Sequence, residues 1–368
     1  MEIINQEPPL HSTPLHSTPH SISWQATLRY ATLRYQATRT SRSSSPLSSE
    51  QVTWSRSKAA MRCGCLLLAL VTVASTTIPT IPIAPGVNMP LCGLGTGPPY
   101  SAKDTENAFV AALALGYRAV DTAHNYKNQA SIARAISRSG VPRSDIFITS
   151  KLPGSMTFAE TLNVSASNLK ELNTTYVDLL LVHFPCPSQP YNESLGSKTL
   201  RQQQWKAMEN IYNAGHARAI GVSHFCQRHM ENILEIATVP IAANQVEYHV
   251  GMAGGANAQK WMVEHNITLL SFLPLCGQCG DDRYDLINGT LVSELGRKYN
   301  RSGVQIALKW LTQNGVPAIP RSRNPTHIAE NCALFDWELS ANDLAVLEDA
   351  IKPRDGPQGD SQGDCKIP

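Results

Sequence analysis

Four residues carry the side chains that a proton-coupled reduction would need, in chain order Asp121, Tyr126, Lys151 and His183. A phenol titrates near pH 10 and is a weak acid at neutrality. An ammonium beside it favours the phenolate, so Lys151 is expected to lower the pKa of Tyr126. A buried lysine tends to lose its own proton unless a carboxylate keeps it charged, which is the part given to Asp121. An imidazole such as His183 orients a carbonyl oxygen by hydrogen bonding and helps the proton move. Together they make Tyr126 a general acid, suited to a carbonyl that takes a hydride on carbon and a proton on oxygen. Singly each has a plainer role: Asp121 as a helix cap, Lys151 as a solvated loop charge, His183 as a satisfied core histidine.

The joint reading rests on the elements that deliver these groups. From about Ile81 to Ile351, short β-like runs alternate with amphipathic helical patterns. The runs are Leu91–Leu94, Ala119–Asp121, Ile146–Ser150, Val177–Val182, Ala219–Val222, Ala242–Val246, Thr268–Phe272 and Val316–Ile319. The helical segments are Lys103–Leu115, Phe158–Leu172, Trp205–Ala214, Arg228–Ile236, Ala256–Glu264 and Val304–Thr312. This predicts an α/β fold, a (β/α)8 TIM barrel forming a single domain over residues 80–352. A doubly wound sheet is the alternative, but Gly93-Leu-Gly95-Thr96 is too short for its Gly-rich phosphate loop. Active groups of a barrel sit where strands end at the C-terminal face. Each predicted strand ends or runs on into polar or aromatic residues: Asp121, Lys151, His183, Ser223 with His224, Gln245, Phe272, and Arg321 with Ser322.

The flanks have another texture. Residues 1–60 hold near-tandem repeats and a Ser/Arg/Thr-rich stretch, and are expected to be disordered or not translated. Lys58 and Arg62 precede the apolar run from Cys65 to Ala74, so residues 61–76 read as a signal peptide if translation starts at Met61. Asn-x-Ser/Thr triplets begin at Asn163, Asn173, Asn192, Asn266, Asn288 and Asn300. With that segment they raise the expectation of a secreted glycoprotein, the alternative being a cytoplasmic enzyme. Residues 353–368 read as a flexible tail. Net charge is +2, which excludes a nucleic-acid-binding field, and the apolar run is too short for a stable membrane span. The chain has nine cysteines. Cys276 and Cys279 form a CxxC without a second pair at zinc-ligand spacing, so no metal site and free structural thiols are expected.

At these residues the sequence resembles the aldo-keto reductase family. The matching segments are Gly116-Tyr-Arg-Ala-Val-Asp-Thr-Ala-His-Asn-Tyr126, Ile148–Leu152, Leu181–Pro185, Ile220–Phe225, Asn244–His249, Ile319–Ser322 and Ile328–Asn331. The resemblance implies NADPH, in preference to NADH, lying extended across the barrel mouth, with a small-molecule carbonyl as substrate and a monomeric enzyme. Tyr126 would be the proton donor, with Asp121, Lys151 and His183 completing a tetrad. Ser223, His224 and Gln245 would meet the nicotinamide amide and Phe272 its ring. Gly95 and Thr96 would line the pyrophosphate. Leu275 would belong to the loop that folds over the cofactor, a loop altered here by Leu273 and Cys276. Arg321, Ser322 and His327 would meet the 2′-phosphate, and Glu330 and Asn331 the adenine end. His224 stands where the family has Asn, His327 where Arg is common, and Phe184 where Trp is usual. Reduction of aldehydes or ketones to alcohols is the implied activity; an NADP-binding barrel with a sensory or scaffolding role is the alternative.

Overall fold

The structure, a computed structural model, describes residues 77–186, 197–252, 256–276 and 285–350. The readings placed on 1–60, 61–76 and 353–368 fall outside the described residues. An antiparallel hairpin of β1 (Thr80–Ala84) and β2 (Val87–Pro90) comes first. Seven parallel strands follow: β3 (Leu94–Gly95), β4 (Ala119–Asp121), β5 (Phe147–Leu152), β6 (Leu179–Val182), β7 (Ile220–Ser223), β8 (Ala243–Glu247) and β9 (Thr268–Phe272). Each pairs with its sequence neighbour, in the order β3 to β9.

An eighth stave closes the ring without forming a regular strand. Ala318 bridges Cys92 on one side and Ser271 on the other, both in parallel sense. Ala318 N donates to Leu91 O at 3.0 Å, and Ser271 N donates to Pro317 O at 2.9 Å. Pro317 and Pro320 have no N–H to give, so the ladder expected over Val316–Ile319 shrinks to isolated bridges. The fold is the predicted (β/α)8 barrel.

The helices are α1 (Ala102–Ala114), α2 (Gln129–Ser139), α3 (Phe158–Glu171), α4 (Lys198–Asn213), α5 (Gln227–Leu234), α6 (Ala256–Glu264), α7 (Thr290–Tyr299), α8 (Gly303–Gln313), α9 (Pro325–Asn331) and α10 (Ala341–Glu348). Capping boxes begin α1 at Ser101 with Asp104, α3 at Thr157 with Glu160, and α8 at Ser302 with Gln305. Periodicity did not reveal α2, because its buried face includes Gln129 and Ser131 beside Ile132 and Ala135. The hairpin, α7, α9 and α10 were also not foreseen.

Two apolar layers hold the barrel. Outward residues such as Val120, Ile148, Leu180 and Val182 pack against the helices. Inward residues Ala119, Phe147, Leu179, Leu181, Ala219, Ala243 and Leu270 pack against Ile83, Val87 and Met89 of the hairpin. The hairpin therefore plugs the end of the barrel where strands begin, and Arg218 Nη2 pins its turn by donating to Gly86 O at 2.9 Å. That leaves the other end for chemistry.

Free structural thiols were expected, and Cys186 remains a buried thiol, but four other cysteines depart from this. Cys92 at the barrel wall and Cys332 just after α9 form a disulfide across 240 residues of sequence, and Cys226 and Cys276 are also disulfide-bonded. Spacing could not show the Cys92–Cys332 pairing, because closure of the barrel brings its two Cα atoms to 5.9 Å. Three of the six triplet asparagines also have a local explanation. Asn173, Asn266 and Asn300 follow helix ends with φ of 49°, 56° and 52°, a left-handed region that asparagine tolerates well. Replacing Cys92 and Cys332 together by Ser should lower the unfolding free energy by about 2–5 kcal/mol. A urea-unfolding midpoint equal to that of the parent would refute this.

Candidate active site

The alternation of strand residues aims the polar groups. Ala119 points into the barrel, so Asp121 does too. Phe147 leads by the same step of two to Lys151, Leu181 to His183, Ala219 to Ser223, Ala243 to Gln245 and Leu270 to Phe272. Six groups from six neighbouring strands thus converge above the apolar plug.

Their geometry is specific. Lys151 Nζ is paired with Asp121 Oδ1 and donates to Thr122 O at 3.2 Å. It lies 3.4 Å from the Tyr126 hydroxyl and 4.9 Å from the ring centroid. Gln245 Nε2 donates to Asp121 Oδ2 at 2.8 Å, so both carboxylate oxygens are engaged. The His183 ring meets the Tyr126 ring edge-on at 5.6 Å. Lys151 and Asp121 are 1% and 3% exposed, so their pairing is fully screened from water.

Tyr126 reaches this cluster from a 3-10 turn, His124–Tyr126, not from a strand. Two polar anchors fix the turn. Thr122 Oγ1 donates to Asn128 Oδ1 at 2.6 Å, and Asn128 Nδ2 donates to Thr96 O at 2.8 Å. On the other side His124 Nδ1 bonds to Asn168 Oδ1 at 2.8 Å, which also accepts from Gln129 Nε2 at 2.9 Å, while Ser150 Oγ donates to Gln129 Oε1 at 2.7 Å. Asn128, Gln129 and Asn168 were missed in the sequence. The only signal was an amide at the α2 N-cap for Asn128, and amides on helix faces that should have been apolar for Gln129 and Asn168.

The electrostatics differ from expectation for the tyrosine. Burial is the largest influence on Tyr126 and holds its hydroxyl above the ordinary value; Lys151 pulls it down and Asp121 pushes it up. The expected net lowering by Lys151 is therefore corrected: desolvation of the phenolate outweighs the ammonium. Burial also pulls Lys151 down, but Asp121 and Tyr126 together more than offset it and keep the ammonium charged. Burial, then Lys151 and His224, hold His183 well below the usual histidine value, so its ring is neutral. Its buried Nδ1 has no hydrogen-bond partner. A bare lone pair is less costly there than an unpaired N–H, which assigns the proton to Nε2.

His224 sits at φ 59° beyond β7. Its Nδ1 lies 3.0 Å from His183 O and 2.9 Å from Ser223 Oγ. The ring stacks on Phe184 at 4.5 Å and tilts against Phe272 at 4.6 Å. Burial drops its pKa to about 4.

Of the other predicted contacts, Thr96 is buried and its Oγ1 donates to Asp121 O at 2.7 Å. A Cβ on Gly95 would lie 2.5 Å from Ile319 O, so only glycine fits between those strands. Leu275 packs against the core. Arg321 is exposed; it donates to Gly97 O at 3.0 Å and to Pro98 O, and lies over the Tyr100 ring. Ser322 and Asn331 are buried, and His327 and Glu330 are exposed along α9. Asn331 immediately precedes Cys332, so the disulfide fixes this segment to the barrel wall. Gln245 commits its Nε2 to Asp121, so what its amide has to offer a ligand is the acceptor Oε1. These residues fit an extended nicotinamide dinucleotide: an amide acceptor, an aromatic face at Phe272 and a cation at Arg321 lie in that order around the rim.

Glu247, His249 and Cys276 bring donor atoms within 4.8 Å of one another. Cys276 is disulfide-bonded and offers no thiolate, so the cluster is not a metal centre. A cavity of about 380 Å³ lined by Leu162, Leu169, Ile211 and His216 lies where strands begin, away from the tetrad.

The profile of the Aldo/keto reductase family matches residues 92–352. The chain belongs to the aldo-keto reductase family. It is 34% identical to a morphine 6-dehydrogenase of Pseudomonas putida over 74% of this chain and 90% of that protein. It is 33% identical to a glyoxal reductase of Bacillus subtilis over 76% of this chain and 96% of that protein. The structure of a Bombyx mori aldo-keto reductase in complex with NADP superposes with a TM-score of 0.67 at 26% identity, covering 74% of this chain and 92% of that one. This membership makes the chain an oxidoreductase of the carbonyl-reducing kind. It also corrects the secreted-glycoprotein reading. The bacterial relatives are matched over nine-tenths or more of their own length, so the barrel accounts for nearly all of each, and the cytoplasmic alternative is the one consistent with them. Among the described residues no helix is long and apolar enough to cross a membrane.

The depressed His224 pKa has a testable sign. The unfolded chain binds a proton near pH 6.5 that the folded chain refuses until about pH 4. Stability from this group is full above pH 6.5 and is lost as pH falls towards 4, by about 3 kcal/mol. His224→Asn should flatten that part of the curve relative to the parent. Parallel unfolding-energy curves for the two proteins between pH 7 and 4 would contradict it.

Proposed function

We propose that this aldo-keto reductase uses NADPH to reduce aldehydes or ketones to alcohols, with Tyr126 as proton donor. The observation that carries this reading is the Asp121–Lys151 pair holding an ammonium 3.4 Å from the Tyr126 hydroxyl. The bound nicotinamide supplies the hydride. Tyr126 keeps its proton at neutral pH, so the group that must give one is loaded. An alkoxide forming on the carbonyl oxygen is a far stronger base than a phenolate. As the proton leaves, Lys151 stabilises the phenolate that remains. His183, neutral with its proton on Nε2, donates a hydrogen bond that orients the carbonyl and cannot compete as an acid.

Ser223 and Gln245 would hold the carboxamide, the Gln245 acceptor taking its NH₂. Phe272 would support the ring. His224 has Nδ1 already engaged and can offer only Nε2. Gly95, Thr96 and Leu275 would flank the pyrophosphate, while Asp121 holds Gln245 from beneath. Arg321, Ser322 and His327 would face the 2′-phosphate, and Glu330 and Asn331 the adenine. Arg321 has further N–H groups beyond the one on the Gly97 and Pro98 carbonyls, which supports NADPH over NADH. The NADP complex of the silk-moth enzyme agrees with this choice, and the glyoxal reductase with a small carbonyl substrate.

Tryptophan fluorescence should fall on adding NADPH and less on adding NADH, and Arg321→Ala should weaken NADPH about 10-fold or more while sparing NADH. No response to either nucleotide would remove the cofactor assignment. Tyr126→Phe should lower turnover of 4-nitrobenzaldehyde by about 10²–10⁴-fold with NADPH binding intact. Retained turnover would take Tyr126 out of its role.

A further inference from the structure

Gly97 sits beside the proton donor, and the backbone does not require a glycine there. Gly93, Gly95 and Gly154 are needed for close approach: a Cβ would come within 2.9 Å of Ala119 Cβ, 2.5 Å of Ile319 O and 2.1 Å of Phe184 O. Gly86, Gly140, Gly215 and Gly315 have left-handed φ of 70° to 77°. Gly97 has neither constraint. Its φ is not left-handed, and the three atoms nearest a Cβ there all belong to Tyr126: Cζ at 3.5 Å, the hydroxyl oxygen at 3.6 Å and Cε2 at 3.7 Å. Those are ordinary van der Waals separations, so alanine would fit.

An unforced glycine costs stability relative to alanine through the entropy of the unfolded chain. Here it keeps the space against the Tyr126 hydroxyl empty. Gly97 is partly exposed and so is not sealed in the core. The loop is held without any side chain at this position, because Arg321 Nη1 bonds to Gly97 O at 3.0 Å and Arg321 lies 5.1 Å over the Tyr100 ring. A carbonyl oxygen that takes the Tyr126 proton must lie against this hydroxyl. One of its two carbon substituents can then occupy the unfilled volume at Gly97.

We infer that Gly97 is a specificity-determining residue: the space it leaves at the Tyr126 hydroxyl admits the bulky substituent of a branched or cyclic ketone. This rests on the reductase reading above and names its substrate class. The reaction is unchanged: ketone, NADPH and a proton give a secondary alcohol and NADP⁺.

The test compares the full-length protein with Gly97→Ala and Gly97→Leu, using propanal as a small substrate and cyclohexyl methyl ketone as a bulky one. For Gly97→Leu, kcat/KM for the ketone should fall about 10-fold or more relative to that for propanal, with propanal itself within about threefold of the parent. Gly97→Ala should shift the ratio the same way by less. For Gly97→Ala, NADPH quenching should match the parent and the melting temperature should equal or slightly exceed it. If Gly97→Leu does not fold, Gly97→Ala decides. An unmoved ratio in the folded variants, an equal loss on both substrates, or a parent that reduces propanal but not the ketone would each overturn the Gly97 inference alone. A parent that reduces neither compound would overturn the reductase reading itself.

Discussion

The buried pair between Lys151 and Asp121 is the interaction on which the site depends. Two charges withdrawn from water are costly, and such a pair survives only where further hydrogen bonds complete it. Here they do: Gln245 takes the second carboxylate oxygen, and Thr122 O receives the ammonium. Three strands, β4, β5 and β8, are therefore coupled through one ion pair and its amide partner. The ammonium that results is held beside Tyr126 with no water to screen it, which gives it leverage over a phenolate that the surrounding burial otherwise opposes.

The barrel makes that arrangement possible by dividing labour between its ends. One end is filled by the β1–β2 hairpin and small or aliphatic inward residues, which supply the apolar support. The same alternation, continued by one or two steps along each strand, turns inward positions polar at the other end. Tyr126 is the exception, because it arrives on a turn. Its precision comes from Asn128 on one flank and from Asn168 with Gln129 on the other, an amide network under the turn. A buried polar network of this kind restricts the turn because each alternative position leaves a donor or acceptor unpaired.

The protonation states follow from the same burial. Desolvation neutralises both His183 and His224 and keeps the Tyr126 proton in place, while the ion pair alone retains charge. One proton is thus held on Tyr126, beside the charged pair. The disulfide from Cys92 to Cys332 extends the scaffold outward, tying the segment that bears Ser322 and Asn331 to the barrel wall.

The sequence by itself determined the barrel and the direction of its strand-end side chains. A period of two, read from Ala119 to Asp121 or Leu181 to His183, is local and survives any packing. Short apolar runs located β4 and β9 to the residue and the other strands to within a few residues. The sequence also singled out Asp121, Tyr126, Lys151 and His183, which the structure brings together. What only the tertiary structure decided was everything dependent on distant parts of the chain meeting. The eighth stave became bridges because two prolines lacked donors for neighbours known only once the ring closed. The cysteines paired because closure brought positions 92 and 332 together. The sign of the Tyr126 shift turned on how much of the phenol is desolvated, a sum over surrounding atoms that no spacing encodes. The residue types and their order were legible in the sequence, and the energetics of their burial were not.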